Sequence, residues 1–303
     1  MALVSESFVQ VLDPRFKRIF DERFTDVPDR ISDFYDVQTG KLQTERFSTI
    51  GTTGEMPLFG GAITYDDVSA GYDTLITPLE FGMGIQIQRR LFDDDQFSII
   101  DQKPKALAGS LYRRRQTDAA RPFNQAFSVD SLFGSNSEGV SMCSNSHTTT
   151  SGASTASGFD NLVTTSLSAV ALAAARIQMR QFRGDRAEII SIKPDKLLIP
   201  IDLYEVAFEI TKSMGKVDTA NNNANVHKDQ YSVSDWEYLT DANNWFLMDG
   251  SMMKDGKGLV WMERVKGEFG FIEDFDSLVG KWRCYARHGN GWVDWRFILG
   301  ANV

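Results

Sequence analysis

Cysteine and histidine are scarce in this 303-residue chain, which contains two of the first and three of the second. Cys143 and Cys284 lie far apart, so they predict neither a disulfide framework nor a zinc site, and a reducing compartment would keep both as thiols. No run approaches the roughly 20 apolar residues of a membrane-spanning helix. The first residues also lack the basic-then-apolar order of a signal peptide. We therefore expect folding in the cytoplasm, without a membrane partner.

Positive charge is also in short supply, because 32 Lys and Arg residues face 41 Asp and Glu residues, a formal net charge of −9. Nonspecific DNA binding depends on neutralising phosphates with Lys and Arg, so the molecule as a whole is not expected to adhere to DNA. The composition is otherwise that of a soluble globular protein, with 42% hydrophobic residues. That content is enough for one large core or two smaller ones.

The first 34 residues place aromatic and aliphatic side chains at roughly helical spacing among many charges. Pro14 is expected to interrupt this helix and Pro28 to end it. We predict an arm that packs on another part of the assembly through Phe8, Phe16, Phe20 and Phe24.

Strict alternation of apolar and polar residues marks residues 73–88, "DTLITPLEFGMGIQIQ". As one strand this segment would span about 50 Å, far beyond the usual five or six residues. Upstream, "TERFSTIG" and "GGAITYDD" are also β-prone and are separated by glycine-rich turns. Together these segments predict a long hairpin that projects from its own domain.

Three helices and a short buried strand are predicted in the middle of the chain. A long helix opens near Pro104 and is expected to stop or kink at Pro122. "SLSAVALAAARIQMRQFRG" predicts an Ala-rich helix, "KLLIPI" a buried strand, and "DLYEVAFEITKSMG" a helix capped by Asp202. The aromatic-rich remainder predicts antiparallel sheet, with a two-residue hairpin turn at Asn290 and Gly291.

The Ser-, Thr- and Gly-rich residues 135–157 place Cys143 four positions from His147, a spacing compatible with a nucleophile and a base. Catalysis would also need an orienting group and oxyanion donors, and no known nucleophile motif surrounds the pair. We interpret the segment as a flexible polar loop that tolerates substitution of both residues, with a Cys/His hydrolase as the alternative.

Two charged runs are the remaining candidate sites. Asp93, Asp94 and Asp95 could bind a cation together with Asp101, but their position before a helix favours capping or a solvated turn, so no metal and no cofactor are predicted. The run of arginines at 113–115 points in three directions on a helix. Salt bridges between subunits or a solvated face are therefore favoured over a nucleic-acid site.

The order of these segments resembles that of tailed-bacteriophage major capsid proteins, most closely the Mu-like major head subunits. The resemblance covers residues 16–303. It rests on "IQIQRRLFDDD", "GSNSEGVSMCSNSHTTTSG", "EYLTDANNWFLMDG" and "WRCYARHGNGWVDWRF", and its most specific pieces are "KPDKLLIP" and "LTDANNWFLMDG".

The resemblance implies an α+β chain with the Hong Kong 97-type fold. Its expected parts are an N-terminal arm (1–43), an extended β-hairpin loop (44–85), a peripheral domain with a long spine helix (86–159), an axial domain (160–262) and a return to the peripheral domain (263–303). The loop around His147 would then connect two domains.

The implied function is structural and not enzymatic. The chain would self-assemble into hexamers and pentamers of an icosahedral or prolate head, which is put together in the host cytoplasm and forms the capsid of the virion. The head would enclose double-stranded DNA without sequence-specific binding. The alternatives are a protein-compartment shell or a tail tube. No long charged helical region precedes the arm, so either a separate protein supplies the scaffolding or the shell assembles without it. The resemblance also implies separate portal and decoration proteins as candidate partners. The residues expected to contact neighbouring subunits are Phe47, Met56, Leu58, Phe59, Ile63 and Tyr65 on the extended loop, with the four arm aromatics.

Some relatives with this fold join a lysine of the extended loop to an asparagine of a neighbour. Here no lysine occurs between Lys41 and Lys103. The resemblance therefore implies a shell without covalent cross-links from this loop.

Overall fold

The computed structural model describes residues 5–26, 29–63, 65–88, 90, 101–215, 223–274, 276–277 and 279–303. The helices in these ranges are α1 (Ser5–Asp26), α2 (Ile31–Phe34), α3 (Gln102–Asn124), α4 (Ala169–Met179), α5 (Tyr204–Lys212) and α6 (Gly250–Lys254). The strands are β1 (Asp36–Gln38), β2 (Glu45–Ile50), β3 (Ala70–Ile76), β4 (Leu79–Gln88), β5 (Gly134–Asn136), β6 (Leu162–Val163), β7 (Lys196–Ile199), β8 (Ser232–Asp235), β9 (Trp245–Met248), β10 (Leu259–Asp274), β11 (Val279–Trp292) and β12 (Ile298–Ala301).

The strands form three sheets. A four-stranded sheet has the order β1-β10-β11-β4, in which β1 runs parallel to β10 and the other pairs are antiparallel. A five-stranded sheet has the order β6-β12-β9-β7-β8. The smallest sheet joins the hairpin β2-β3 to β5. Among the described residues, no helix is long and apolar enough to cross a membrane.

Helices α1 and α3 cover the four-stranded sheet. Phe20 of α1 packs with Leu107 and Leu111 of α3 and with Cys284 of β11, while Phe16 contacts Trp282, with ring centroids 5.0 Å apart. Burying an aromatic side chain stabilises a fold by about 2–3 kcal/mol. The helix α1 runs through Pro14 without the predicted interruption.

The five-stranded sheet has an apolar core on each face. On one face Leu198, Phe246 and Ile298 pack with Ala119 and Phe123 from the end of α3. On the other face, the residues that pack with α4 and α5 include Leu172, Ala175, Leu197, Ala207, Ile210 and Leu247. The strands between these cores read as continuous apolar runs because both faces are buried. We call the first core the shared core, since the spine helix α3 and the five-stranded sheet both contribute to it.

The alternating segment 73–88 is two strands and not one. β3 ends at Ile76 and β4 begins at Leu79, with Pro78 between them. Proline supplies no N–H for a sheet ladder, so the chain leaves the small sheet here and β4 pairs with β11. The described residues of "GGAITYDD" belong to no strand, and the hairpin therefore consists of β2 and β3 alone.

The stop or kink predicted at Pro122 lies two residues before the observed end of α3 at Asn124, whereas the hairpin turn predicted at Asn290 and Gly291 is wrong. Pro122 lies inside α3, where it cannot donate to the Asp118 carbonyl, and the Asn290 side-chain amide donates to that carbonyl instead, at 2.6 Å. Asn290 and Gly291 therefore belong to β11 and form no hairpin turn. A Cβ atom at Gly291 would lie 3.1 Å from the side chain of Ile76, closer than an ordinary van der Waals contact, so a larger residue would require Ile76 to shift.

Asp202 does not cap α5. It lies in a 3-10 turn formed by Ile201–Leu203, and the residue before α5 makes no side-chain cap hydrogen bond. The Ala-rich helix α4 and the buried strand β7 form as predicted.

Candidate functional site: buried polar joints and exposed assembly surfaces

The loop that contains His147 is anchored in the protein interior. The imidazole is 2% exposed and stacks on Trp295, with ring centroids 4.2 Å apart and planes 8° apart. Its Nδ1 lies 3.1 Å from Glu138 Oε1, and its Nε2 lies 3.2 Å from Asn161 Oδ1. The prediction of a flexible loop is therefore wrong at this residue, because the side chain joins segments that are distant in sequence. We accordingly expect substitution of His147 to cost stability.

We call the contacting side chains of His147, Glu138, Asn161 and Trp295 a buried polar joint. Asn161 completes it by hydrogen bonding to the backbone of two segments that are distant in sequence. Its Oδ1 accepts from the Ser144 N–H at 2.7 Å, and its Nδ2 donates to the carbonyls of Met142 and Ile298 at 2.9 and 3.1 Å. Both ring nitrogens of His147 thus face side-chain oxygen atoms of its own chain, Glu138 on one side and Asn161 on the other.

Cys143 is not a nucleophile paired with His147. Its thiol is 1% exposed in the shared core, and burial strongly raises its pKa, the opposite of an activated thiolate. It packs so closely on the backbone that a Cβ atom at Gly300 would lie 2.7 Å from its Sγ. Cys143 acts here as a small core residue.

A second buried polar joint ties α3 to β10 and β11. Arg115 is 3% exposed and forms ion pairs with Glu263 and Asp29, so the predicted roles in a solvated face or a contact between subunits do not hold for this residue. His288 Nε2 lies 2.9 Å from Asp118 Oδ2. Burial lowers the pKa of His288.

His288 is also held by stacking. Its ring lies against Phe81 and Trp261, with centroid separations of 4.6 and 4.8 Å. His288 stands two positions before the hairpin turn predicted at Asn290 and Gly291, whereas the structure places it within the β10-β11 pair, opposite Glu263.

The predicted acidic cluster is tested only in part. Asp93, Asp94 and Asp95 lie outside the described residues, and Asp101 forms an ion pair with Arg15 instead of a side-chain cap. Among the described residues, no group of three or more His, Cys, Asp or Glu side chains is arranged to hold a metal ion.

Five of the six predicted loop contacts are exposed at the tip of the β2-β3 hairpin. We call these five the tip residues, and their exposed fractions are 96% for Met56, 99% for Leu58, 72% for Phe59, 71% for Ile63 and 91% for Tyr65. Monomeric soluble proteins rarely expose so many large apolar side chains together. A surface of this kind indicates a contact with another molecule.

Phe47 does not belong to this exposed set. It is half-buried against its own chain, beside Ile76, Val260, Met262 and Val293. Its position in β2 places it against residues of β3 and β10, and its contact with a neighbouring subunit stays a prediction.

The arm aromatics also pack within the chain. Phe16 and Phe20 are buried as described above, and Phe24 stacks on Phe20 with ring centroids 6.2 Å apart. The apolar face of α1 finds its own peripheral sheet, which is why these side chains do not remain available to a neighbour as predicted. The side chain of Phe8 lies outside the described part of the structure.

A charged clamp that sequence reasoning missed connects the extended loop to the segment after α4. The Arg186 Nη1 lies 2.7 and 2.6 Å from the two carboxylate oxygens of Asp66, and Asp66 also accepts from the Gly54 N–H at 2.8 Å. The hydrogen bond from Arg186 holds the pKa of Asp66 below its ordinary value. No local pattern links residues 120 positions apart.

Buried polar joints and a hairpin with an exposed apolar tip are the features of a subunit built for assembly. The match to known families agrees with this: the chain matches the phage capsid protein family over residues 71–301, and it belongs to that family. Its role is that of a structural capsid protein. No curated protein matches the chain by sequence.

Solved structures show the same fold. The chain is similar to the capsid of bacteriophage JBD30, with 14% identity and a TM-score of 0.56 over 79% of this chain and 100% of that one. It is similar to the capsid of a native GTA particle, with 13% identity and a TM-score of 0.57 over 91% and 92% of the two chains. The capsid of cyanophage P-SCSP1u gives 12% identity and a TM-score of 0.53 over 89% and 86%.

These likenesses and the mixed helix and sheet architecture confirm the α+β Hong Kong 97-type fold that the sequence resemblance implied.

Proposed function

We propose that this protein is the repeating shell subunit of a tailed-phage head, forming hexamers and pentamers held together in part by the tip residues. The single observation that carries this proposal is their exposure on a hairpin that lies apart from both apolar cores. Residues 45–76 supply this extended loop, since β4 belongs to the peripheral sheet. The five predicted domain ranges are otherwise retained in the proposal.

The energetic reason is the apolar area at the tip. Fully burying an exposed aliphatic or aromatic side chain contributes about 1.5–3 kcal/mol, so five such side chains can hold a neighbour without any covalent bond. Each subunit of a closed shell makes such a contact and receives one, and multivalent contact adds avidity. Asp66 is already paired with Arg186, so the acids that flank the tip and favour a receiving surface with basic residues are Glu55 and Asp67.

The proposal also covers the DNA that the shell encloses and the other proteins that bind to the shell. The net charge of −9 suits a container that encloses double-stranded DNA without adhering to it. Separate scaffolding, portal and decoration proteins are proposed partners, and the host cytoplasm is the proposed place of assembly. One solved relative is titled a capsid of bacteriophage JBD30 decorated with minor capsid protein trimers. No catalytic step is part of the proposed function.

The test is assembly of the purified full chain, followed by negative-stain imaging and sedimentation. The wild-type protein should form closed shells, and Leu58→Ser with Phe59→Ser should leave folded subunits that do not assemble. Val129→Ser is the matched control, because Val129 is a 66% exposed apolar residue elsewhere and its loss should change nothing.

Open hexameric tubes from the wild-type chain would instead indicate a tail tube, and shells that enclose cargo protein would indicate a protein compartment. Normal shells from the tip variant would show that the tip residues are not the contact.

A further inference from the structure

Helix α5 presents a face that combines aromatic and acidic side chains and that no other described part of the chain covers. Tyr204 and Phe208 are 47% and 53% exposed, one helical turn apart, with ring centroids 6.2 Å apart. Glu205 and Glu209 lie beside them and have no ion-pair partner within the described residues. Lys212, the basic residue of this helix, is already paired with Asp229 at 2.7 Å. The face is therefore apolar and negatively charged.

Helix α4 presents a face with the opposite charge. Val170 and Ile177 are 71% and 59% exposed and lie on one side of the helix, two turns apart. Arg176 and Arg180 flank this side, and α4 contains no acidic residue. The opposite side of α4 carries Leu172, Ala175 and Met179, which are buried in the core between this helix and the five-stranded sheet.

The two faces lie toward opposite edges of the five-stranded sheet. α4 packs beside β12, next to the two-residue edge strand β6, whereas α5 packs beside β8, the edge strand at the other side. Both helices cover the same face of the sheet. A contact between α5 of one subunit and α4 of another would thus join two different surfaces, and repetition of such a head-to-tail contact produces a ring when the rotation closes.

We propose that the α5 face of one subunit binds the α4 face of a second copy, with Tyr204 and Phe208 against Val170 and Ile177. The inference rests on the proposed function, because it supplies the contact that closes hexameric and pentameric rings. The α4 face is chosen as the partner because its arginines are opposite in charge to the glutamates of the α5 face. Subunits with a formal net charge of −9 repel one another, so a stable contact requires local complementarity, which Glu209 finds in Arg180.

Charge reversal in the full chain tests the pairing. Glu209→Arg alone and Arg180→Glu alone should each raise the concentration needed for assembly by at least about tenfold, because each places like charges in contact at every ring position. The double variant should recover most of this loss. Glu237→Arg, a reversal of an exposed acid outside both faces, is the matched control and should assemble normally.

A second measurement does not depend on shell formation. Subunits with Ile177→Cys are mixed with subunits with Phe208→Cys under mild oxidation, and a disulfide-linked heterodimer is the expected product. A mixture of Phe208→Cys with Val129→Cys should give none. Heterodimers without shells would support the pairing while refuting the proposed function. Shells without heterodimers, or single reversals that the double variant fails to rescue, would overturn the pairing and leave the proposed function standing.

Discussion

Replacing His147 with alanine should destabilise the unassembled subunit by about 3 kcal/mol, with two sources. The first is loss of the stack on Trp295, 4.2 Å between centroids, which is worth about 1 kcal/mol beyond its buried area. The second is the Glu138 carboxylate, whose side chain is 1% exposed and would lose a partner 3.1 Å away, at a cost of about 2 kcal/mol. The cavity left by the ring adds to this.

Urea denaturation of the subunit, followed by tryptophan fluorescence, measures the change in the free energy of unfolding. Asn145→Ala is the matched control, since Asn145 is exposed two positions away, and its effect should stay within about 0.5 kcal/mol. A His147→Ala variant that unfolds within about 1 kcal/mol of the wild type would show that the joint does not hold the loop.

Three further predictions concern the cysteines, pH and the mature shell. Burial raises the pKa of Cys143, and raises that of Cys284 to about 11, so both thiols should react with a disulfide reagent only after denaturation; rapid reaction of the native subunit would revive the hydrolase alternative. Burial lowers the pKa of His288 below the 6.5 of the unfolded chain, so stability is fully present above pH 6.5 and is lost as the pH falls through the folded pKa. In the His288→Gln variant, the urea midpoint should change less between pH 7 and pH 5 than in the wild type. An equal change in both proteins would contradict this. Because no lysine lies between Lys41 and Lys103, particles boiled in detergent should give one band near 34.0 kDa, and a ladder that survives reductant would disprove a noncovalent shell.

Local sequence patterns correctly predicted the elements that depend mainly on residues close to one another in the sequence. The predicted Ala-rich helix forms as α4, and the Ser168 side chain caps it by accepting a hydrogen bond from the Ala171 N–H. The strand predicted over "KLLIPI" forms as β7, because a short apolar run suits a strand buried on both faces. The order of such segments also sufficed for the resemblance to phage capsid proteins.

The failures occurred where a long-range contact overrides a local rule. Asn290 and Gly291 form a hairpin signal, but both lie within β11, where the Asn290 amide donates to the carbonyl of Asp118, 172 positions away. The His147 loop is nearly devoid of apolar residues, yet it is held by Asn161, 14 positions away, and by the ring of Trp295. Neither partner is identifiable from the segment itself, and a polar composition does not distinguish a solvated loop from a satisfied buried network.

The shared core limits how the subunit can adapt within a shell. Ala119, Ala120 and Phe123 of the spine helix are inseparable from Leu198, Phe246 and Ile298 of the five-stranded sheet, and sliding these close-packed surfaces past one another would open voids. We therefore expect the end of α3 and the five-stranded sheet to move together. In the proposed shell, the hairpin and the contacts at the subunit surface, and not this core, are expected to accommodate the difference between fivefold and sixfold positions.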